Sequence, residues 1–388
     1  MRFTEFSGEW KEELLDRIAT LSKGIGIPKE QLSEDGDPCI LYGELYTKYK
    51  SEIIKQVESK TDIDGSKLKR SKANDVIIPC SGETAVDIAT ARCVPFDSIL
   101  LGGDLNVISL HKYDGAFMSY QLNGKRKYDI ARVAQGVSVV HLYGEHLKTI
   151  KTYNPTLPEQ QKIAILLSLL DERIATQNKI IEKYESLIQA ISQKVLRPSE
   201  YWNEYRLCEL ADIRSGYSGN QVSHKTAYAV SRIETISKHR IDMLRVGYVQ
   251  DIPSEYKLNV GDILFSNINS IQYIGNTAFV DKEYNLYHGM NLLRIIPKPS
   301  LVIPRFLHLI LCTSMAIKHF QSICNKAVSQ ASINQTSLGK IMLHIPPLTC
   351  QEQICNVFES VEQRLNLEVY YLKRIQLQKN YLLRQMFI

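Results

Sequence analysis

The sequence predicts an α+β fold in which two globular mixed α/β domains are joined by two long helices that form an antiparallel coiled coil. Three observations lead to this prediction. The 388 residues exceed what one ordinary hydrophobic core accommodates. Apolar anchors recur in the same order about 190 residues apart. Each half ends in a heptad pattern, which is the strongest secondary-structure signal in the chain. Such a repeat implies internal pseudo-two-fold symmetry.

The two tryptophans open corresponding segments of the two halves. Matching anchors follow them at equal spacings: Leu15, Ile18, Leu21 and Gly24 after Trp10, and Leu207, Leu210, Ile213 and Gly216 after Trp202. The segment Asp75–Ile78 is likewise echoed by Asp262–Phe265. The repeat places a first domain at 1–152, a first spacer helix at 153–198, a second domain at 199–345 and a second spacer helix at 346–388. The alternative is two unrelated domains that start alike.

Alternating steps of four and three residues separate the apolar positions of both predicted helices, with charged and amide side chains between them. Prolines precede both helices, and Pro198 closes the first. The positions expected to pair the helices are Ile163, Leu167, Leu170, Ile174, Ile181 and Ile188 in the first, and Ile354, Phe358, Val361, Leu365, Leu372 and Ile375 in the second.

Connectivity predicts that the helices run antiparallel, because the termini of a compact domain usually lie close together. Laid end to end, Gln177 then faces Leu372, and Glu368 faces Ile181. Polar residues inside a seam, here Gln177, Glu368 and Lys379, commonly fix its register at some loss of stability. Two alternatives stay open: each helix packs on its own domain, or the seam pairs between chains.

The bulk properties indicate a cytoplasmic protein without catalytic chemistry of its own. The eight cysteines form no CxxC pair, and neither a signal peptide nor a membrane span is predicted. The nine histidines lack metal-ligand spacing, so we expect no metal site and no catalytic residue. Asp251, Glu255 and Lys257 are close in sequence and indicate a turn rather than a nuclease centre. The net charge of +5 permits a nucleic-acid partner without requiring one.

Two similar domains at opposite ends of a rigid antiparallel rod share the approximate two-fold symmetry of duplex DNA. We therefore hypothesise that each domain reads half of a two-part DNA site while the rod fixes the unread spacing. Basic side chains would neutralise phosphates, and neighbouring amide and hydroxyl groups would read bases. The candidates are Tyr46, Thr47, Lys48, Lys67, Lys69, Lys72, Lys125, Arg126, Lys127, Gln135 and Ser138 in the first half, and Lys225, Arg232, Lys238, Arg240, Asn267, Asn269, Ser329, Gln330 and Asn334 in the second.

The helix starts NPTLPEQQKIAILLSLLDERI and IPPLTCQEQICNVFESVEQRL resemble the paired helices of specificity subunits of type I restriction–modification systems. FSGEW, LSEDGDPCILYGELYTKY, GDILFSNINS and the SIN-x-x-x-L approach to PPL are similar to segments of that family's target-recognition domains. The resemblance covers essentially the whole chain. It departs at the second helix, where Cys350, Gln351 and Glu352 stand in place of an acidic–amide group, which leaves open a shift or an insertion.

This resemblance implies that each domain reads half of a bipartite double-stranded DNA site and that the helices set the spacer and dock two methylation subunits. It implies adenine methylation with S-adenosylmethionine bound by the partner methylation subunit, no cofactor on this chain, and remote cleavage when restriction motor subunits join.

A protein–protein scaffold, whose rod only spaces two binding domains, is the alternative from another class. A DNA reader must bind duplex more weakly as salt rises and must prefer one sequence, and a scaffold need do neither. An autonomous enzyme is disfavoured, because neither the Asn/Asp-Pro-Pro-aromatic motif of adenine methyltransferases nor GxxxxGK[ST] is present.

Overall fold

The computed structural model describes residues 2–326 and 330–388, which form two compact units. The first unit comprises Met1–Ile180 together with Glu368–Ile388, and the second comprises Ile181–Leu367. Both boundaries fall within the long helices, so each helix contributes one part to each unit. The domain boundaries drawn from the sequence treat each helix as a separate segment and stay predictions.

The first unit contains twelve described strands and six short helices before the first long helix, α7. The strands are β1 Lys11–Leu14, β2 Ala19–Lys23, β3 Leu32–Ser33, β4 Asp37–Ile40, β5 Ser59–Thr61, β6 Asp75–Pro79, β7 Ser81–Gly82, β8 Arg92–Val94, β9 Leu100–Leu101, β10 Leu105–Leu110, β11 Val140–His141 and β12 Lys151–Asn154. The helices are α1 Leu15–Ile18, α2 Glu44–Thr47, α3 Ala85–Ile88, α4 Gly115–Asn123, α5 Lys127–Val133, α6 Gly144–Lys148 and α7 Leu157–Val195.

An antiparallel sheet of order β2–β10–β6–β8 forms the centre of the first unit. Because successive side chains of a strand point to opposite faces, β6 feeds two hydrophobic clusters. Val76 and Ile78 pack on one face with Met118 of α4, and Ile77 packs on the other with Ile40 of β4. The uninterrupted apolar run of β6 therefore reflects a strand that is buried on both faces.

The second unit repeats this design with additional strands. Its strands are β13 Asn203–Arg206, β14 Ala211–Ser215, β15 Gln221–Val222, β16 Tyr228–Val230, β17 Ile236–Ser237, β18 Arg240–Ile241, β19 Gly247–Val249, β20 Ile263–Ser266, β21 Ile268–Asn269, β22 Thr277–Phe279, β23 Leu286–Tyr287, β24 Leu292–Pro297, β25 Asn325–Lys326, β26 Ala331–Ser332 and β27 Met342–Ile345. Its helices are α8 Leu207–Leu210, α9 Pro304–Leu311, α10 Ser314–Ile323, α11 Gln335–Gly339 and the second long helix, α12 Leu348–Gln385.

The central sheet of the second unit has the order β14–β24–β20–β22–β18–β17. Its strand β20 also feeds two clusters, with Phe265 packed among residues of α9 and α10, and Leu264 packed on the opposite face. The first four strands of this order correspond one by one to those of the first unit.

The predicted repeat is confirmed by these matching elements. The run β1–α1–β2 corresponds to β13–α8–β14, and β1 pairs with β12 as β13 pairs with β27. Two buried aspartates also have equivalent roles before the central strands. Asp75 accepts a hydrogen bond from the backbone N–H of Lys72 at 2.8 Å, and Asp262 accepts one from that of Asn259 at 2.6 Å. The anchors in the sequence thus mark common backbone geometry.

The starts of the two long helices are chemically equivalent, which resolves the open register. In α7, the Gln160 side chain donates to the Pro155 carbonyl at 2.8 Å and accepts from the backbone of Asp114. In α12, Gln351 donates to the Pro346 carbonyl at 2.8 Å and accepts from the backbone of Ile303. Gln351 therefore takes the place of Gln160, with neither a shift nor an insertion.

The predicted antiparallel pairing of the helices is confirmed. In the first unit Gln177 bonds to Glu368 and Asp171 pairs with Lys379, so partner numbers fall as α7 advances. In the second unit, Ile188 of α7 packs against the cluster that contains Phe358 of α12. All twelve positions expected to pair the helices are buried or half-buried. No helix among residues 2–326 and 330–388 is long and apolar enough to cross a membrane.

The predicted partner of Gln177 was wrong. Its Nε2 donates to Oε2 of Glu368 at 2.5 Å and to the Glu368 carbonyl at 3.1 Å, and not to the layer of Leu372. A buried amide needs a polar partner. The carboxylate of Glu368, one helical turn before Leu372, supplies a charge-assisted hydrogen bond that the Leu372 side chain cannot form. Two residues read as separate interruptions of the seam are therefore partners.

Lys379, the third polar seam residue, joins a buried network in the first unit. Its Nζ lies 2.5 Å from Oε2 of Glu52 and 2.5 Å from Oδ1 of Asp171. The other oxygen of Asp171 accepts from the Tyr120 hydroxyl at 2.6 Å and the Ser51 hydroxyl at 3.0 Å. This network ties both long helices to the globular part of the first unit.

Candidate nucleic-acid interface

A cleft of about 710 Å³ in the first unit collects three of the predicted DNA-reading residues. Tyr46 and Thr47 of α2 line it, and Ser138 reaches it from the segment before β11. These residues come from segments about 90 residues apart in sequence, and the sheet brings them to one concave surface. A concavity with hydroxyl groups on its wall can present donors and acceptors to a base edge.

The polar groups of this cleft are held in defined positions. The Tyr46 hydroxyl donates to the carbonyl of Ser81 at 3.1 Å, and burial raises the pKa of this phenol, which keeps it protonated. Thr47 donates to the carbonyl of Gly43 at 3.0 Å. Lys48 is less available than the sequence indicated, because its Nζ pairs with Glu44 at 2.7 Å and contacts the hydroxyl of Ser59.

Other cleft residues were missed by the sequence analysis. Tyr42 and Ser81 add hydroxyl groups, and Glu83 and Asp87 add carboxylates. A carboxylate repels phosphate but accepts a hydrogen bond from the amino group of cytosine. The available signal was the placement of Ser81 and Glu83 directly after the buried strand β6, at an edge where loop residues converge.

The basic candidates of the first unit fall into two different situations. Lys67, Lys69 and Lys72 lie on the connection from β5 to β6, and within the described part of the chain they form no ion pair. Arg126, by contrast, has partners within the first unit, and its DNA contact stays a prediction. Its guanidinium donates to the backbone oxygen of Ile388 at 2.8 Å and pairs with Asp129 at 3.2 Å, because a half-buried cation needs local acceptors.

The neighbours of Arg126 differ in exposure. Lys125 is exposed, whereas burial lowers the pKa of the half-buried Lys127. Gln135 is exposed, and its backbone bridges to His141 beside β11. Of this group, Lys125 and Gln135 are the side chains that solvent, or DNA, reaches most directly.

In the second unit, two separately predicted loop segments pair as strands. Asn269 of β21 lies opposite Ala331 of β26, which places Gln330 beside the SNINS segment. Asn267 donates to the carbonyl of Ile333 at 3.3 Å, and its buried Oδ1 has no hydrogen-bond partner within the described residues. Asn269 donates to the Ser266 hydroxyl. Ser329, the remaining member of this predicted group, lies outside the described residues.

Two residues of the second unit that were predicted to contact DNA have hydrogen-bond partners within the chain. Oδ1 of Asn334 accepts from the backbone N–H of Ser337 at 2.7 Å and so caps α11, and the base-reading role predicted for it stays a prediction. Arg240 donates to the side chain of Asn366 in α12 at 3.0 Å. The Asn334 cap thus gives an acceptor to a helix N-terminus that has no intrahelical one.

The remaining basic candidates of the second unit are exposed and dispersed. Lys225 and Arg232 flank β16, with Arg232 3.4 Å from Glu234, and Lys238 sits in the turn between β17 and β18. A cluster formed by His239, His308 and Cys312 was not predicted; His308 and Cys312 are four residues apart, and His239 lies 69 residues before His308.

Comparison with known proteins identifies the family of this chain. Residues 8–186 and 199–376 each match the family model described as type I restriction modification DNA specificity domain. The chain therefore belongs to that family and carries two copies of its domain. Each copy contains one globular part and most of the long helix that follows it.

Individual relatives agree with this assignment. A type I restriction enzyme specificity subunit (MjaX) of Methanocaldococcus jannaschii is 38% identical over 184 residues, which are 45% of this chain and 43% of that protein. The match thus spans less than half the length of that relative. The crystal structure of the type I restriction–modification S subunit from M. genitalium has a TM-score of 0.62 at 16% identity, covering 100% of this chain and 99% of the other.

A second solved structure, from work on assembly and conformational transition of a type I restriction–modification system, has a TM-score of 0.61 at 15% identity. It covers 98% of this chain and 97% of the other. At these identities, both likenesses show the fold.

Proposed function

We propose that this chain is the DNA-recognition subunit of a type I restriction–modification complex. The observation that carries the proposal is that both halves match the same DNA specificity domain, each ending in one of two antiparallel helices. Each globular part reads one half of a bipartite double-stranded site, and the paired helices set the unread spacer. The family match supports this function over a protein–protein scaffold.

The chemistry of the complex belongs to other subunits. Two methylation subunits dock on this chain, bind S-adenosylmethionine and methylate adenine, and restriction motor subunits cleave DNA. This chain contributes recognition of the DNA sequence and no catalytic residue. Because its target is cellular and invading DNA, the complex operates in the cytoplasm.

Genome-wide mapping of methylated adenines, in cells that produce the complex with and without this chain, tests the proposal. We expect one bipartite motif that disappears without the chain. Inserting seven residues into each long helix should lengthen the unread spacer and leave both half-sites unchanged. A motif that persists without the chain, or half-sites that change with the insertion, would contradict the proposal.

In this proposal the cleft of the first unit reads one half-site. Removing hydrogen-bonding groups with Thr47→Val and Ser138→Ala should alter the bases methylated in one half-site only, because base-edge contacts specify sequence. Thr176→Val, which changes an exposed threonine of α7, is the matched control and should leave the motif unchanged. An unchanged motif in the double cleft variant would remove the cleft from the reading surface.

The unpaired lysines of the first unit test the phosphate contacts. Replacing Lys67, Lys69 and Lys72 by Gln should weaken binding of the assembled complex to all duplexes alike. The slope of log affinity against log salt should become shallower by up to about 2.7, since each phosphate contact contributes about 0.9. The control replaces Lys148 and Lys151, which already pair with Glu145 and Glu12. Equal slopes in both variants would place the phosphate contacts elsewhere.

A further inference from the structure

Two histidines and one cysteine of the second unit lie around a common point. Nδ1 of His239 is 3.3 Å from Sγ of Cys312, and Nε2 of His308 is 3.4 Å from the same sulfur. One ligand atom from each residue lies within 4.8 Å of the other two. We propose that His239, His308 and Cys312 bind a zinc ion through two imidazole nitrogens and one thiolate.

The spacing of these atoms matches tetrahedral zinc. With Zn–S near 2.3 Å and Zn–N near 2.0–2.1 Å, a tetrahedral angle places sulfur and nitrogen about 3.5 Å apart. Both observed sulfur–nitrogen distances are within about 0.3 Å of that value. The two imidazole nitrogens lie within 4.8 Å of each other, against about 3.3 Å between two nitrogens at a tetrahedral zinc, so binding needs side-chain movements of up to about 1.5 Å.

The local fold positions the three ligands on two elements. His308 and Cys312 are four residues apart at the end of α9, which places them on one face of a helix. His239 sits in the two-residue turn between β17 and β18, beside Lys238, and both residues have positive φ (62° and 49°). Turns of this type normally use Asn and Gly. Here Lys238 and His239 adopt this backbone conformation, and the His239 ring contacts Cys312 at the end of α9.

The side chains around the three ligands are compatible with a bound ion, and one of them, Arg305, must give up a hydrogen bond when the ion binds. The Thr277 hydroxyl lies 3.2 Å from the Cys312 sulfur and can donate to a thiolate. Arg305 donates from Nη1 to Nδ1 of His308 at 3.0 Å, so the Nε2 atom carries the proton when no ion is bound. Zinc binding at Nε2 moves this proton to Nδ1 and releases Nη1. Arg305 stays anchored, because its Nη2 bonds to both carboxylate oxygens of Glu362.

The ion would fasten the β17–β18 turn to α9. On entry, the Cys312 thiol loses its proton to solvent and its sulfur forms the bond to zinc, while His239 donates a nitrogen lone pair. His239 is exposed, which provides a path from solvent. Three protein ligands leave a fourth position for water or another ligand. This inference concerns the second unit and stands independently of the proposed DNA function.

Titration of the metal-stripped full-length chain with Zn²⁺ or Co²⁺ tests the site. We expect one tight equivalent of zinc and, with cobalt, a thiolate-to-cobalt charge-transfer band with the strong visible bands of tetrahedral cobalt. Cys312→Ser should abolish the charge-transfer band. His239→Ala should weaken zinc binding by at least about 100-fold, since even outer-shell partners of a metal ligand contribute 10–100-fold.

The controls use other potential ligands. Cys208→Ser and His319→Ala change an exposed cysteine and an exposed histidine and should leave the cobalt spectrum and zinc affinity unchanged. His239 lies in an exposed turn, so His239→Ala keeps the test decisive if Cys312→Ser fails to fold, as judged by Trp202 fluorescence. Absence of a thiolate band in the unaltered chain, or zinc affinity that His239→Ala does not reduce, would overturn the proposal and leave a hydrogen-bonded cluster.

Discussion

Replacing Lys379 by Met should destabilise the first unit strongly. The side chains of Lys379, Glu52 and Asp171 are 11%, 10% and 5% exposed, so solvent can compensate little for a lost partner. Met keeps the length of the stem but leaves two buried carboxylates without their shared cation. Removing one partner of such a buried group costs about 3–5 kcal/mol, against about 5–15 kcal/mol for the unfolding of a whole domain.

Urea unfolding followed by tryptophan fluorescence measures this loss in one unit at a time. Trp10 packs against Phe117 and Phe387 in the first unit, with ring centroids 5.8 and 6.4 Å away. Trp202 packs against Phe306 in the second. A Trp202→Phe background therefore makes the signal specific to the first unit. Lys373→Met, at an exposed position of the same helix, is the matched control and should change stability by less than about 0.5 kcal/mol.

A second variant separates a broken network from lost packing. Combining Lys379→Met with Glu52→Gln and Asp171→Asn removes all three charges, and it should recover most of the stability lost in the single variant. If Lys379→Met unfolds at the same urea concentration as Lys373→Met, the network contributes little. If the triple variant is no more stable than the single one, packing and not charge explains the loss.

Three further outcomes follow from other contacts. Burial lowers the pKa of His288 to about 4, and its Nε2 donates to the Leu292 carbonyl. The free energy of unfolding of the second unit, measured through Trp202 fluorescence, should therefore fall by roughly 3 kcal/mol as pH falls from 6.5 to 4. His288→Gln should remove this loss and His224→Gln, at an exposed site, should retain it; equal acid sensitivity of both variants would contradict this. Gln351→Ala should cost about 2–3 kcal/mol in urea unfolding, since it leaves backbone groups of Ile303 and Pro346 unpaired, whereas Gln353→Ala, at an exposed position, should cost little. Asn334→Asp should preserve both the cap of α11 and the methylated motif, and a changed half-site would show that Asn334 reads DNA after all.

The repeat and the helix seams could be predicted because their physical signals are local in sequence. A 3.5-residue apolar period must bury one stripe of a helix, and the seam positions are buried or half-buried as expected. The partner of Gln177 could not be predicted from helix lengths alone. Long side chains such as Gln177 and Glu368 can hydrogen-bond even when the layers of the two helices that they occupy differ by one helical turn.

The candidate site was only partly predictable, because it depends on contacts between distant segments. Tyr46 and Ser138 meet at one cleft only after the central sheet forms, and Arg126 contacts a residue 262 positions later in the chain. Likewise, His308 and Cys312 are four positions apart in the sequence, but the third member of their cluster, His239, lies 73 positions before Cys312 and joins them only in the folded unit. The cap formed by Asn334 was different, since an asparagine before a short helical segment is a cap signal that can be recognised in the sequence.

The division of each long helix between two units has a consequence for the order of folding during synthesis. The segment Glu368–Ile388, which supplies Lys379 and Phe387 to the first unit, leaves the ribosome after the whole second unit. The first unit must therefore wait, with its share of α7 exposed, until that late segment arrives. The entropic cost of closing the loop between α7 and this late segment rises only slowly with loop length. The nascent chain is thus exposed to mispairing of α7 from Ile180 until Glu368 is made, which is about half of its length.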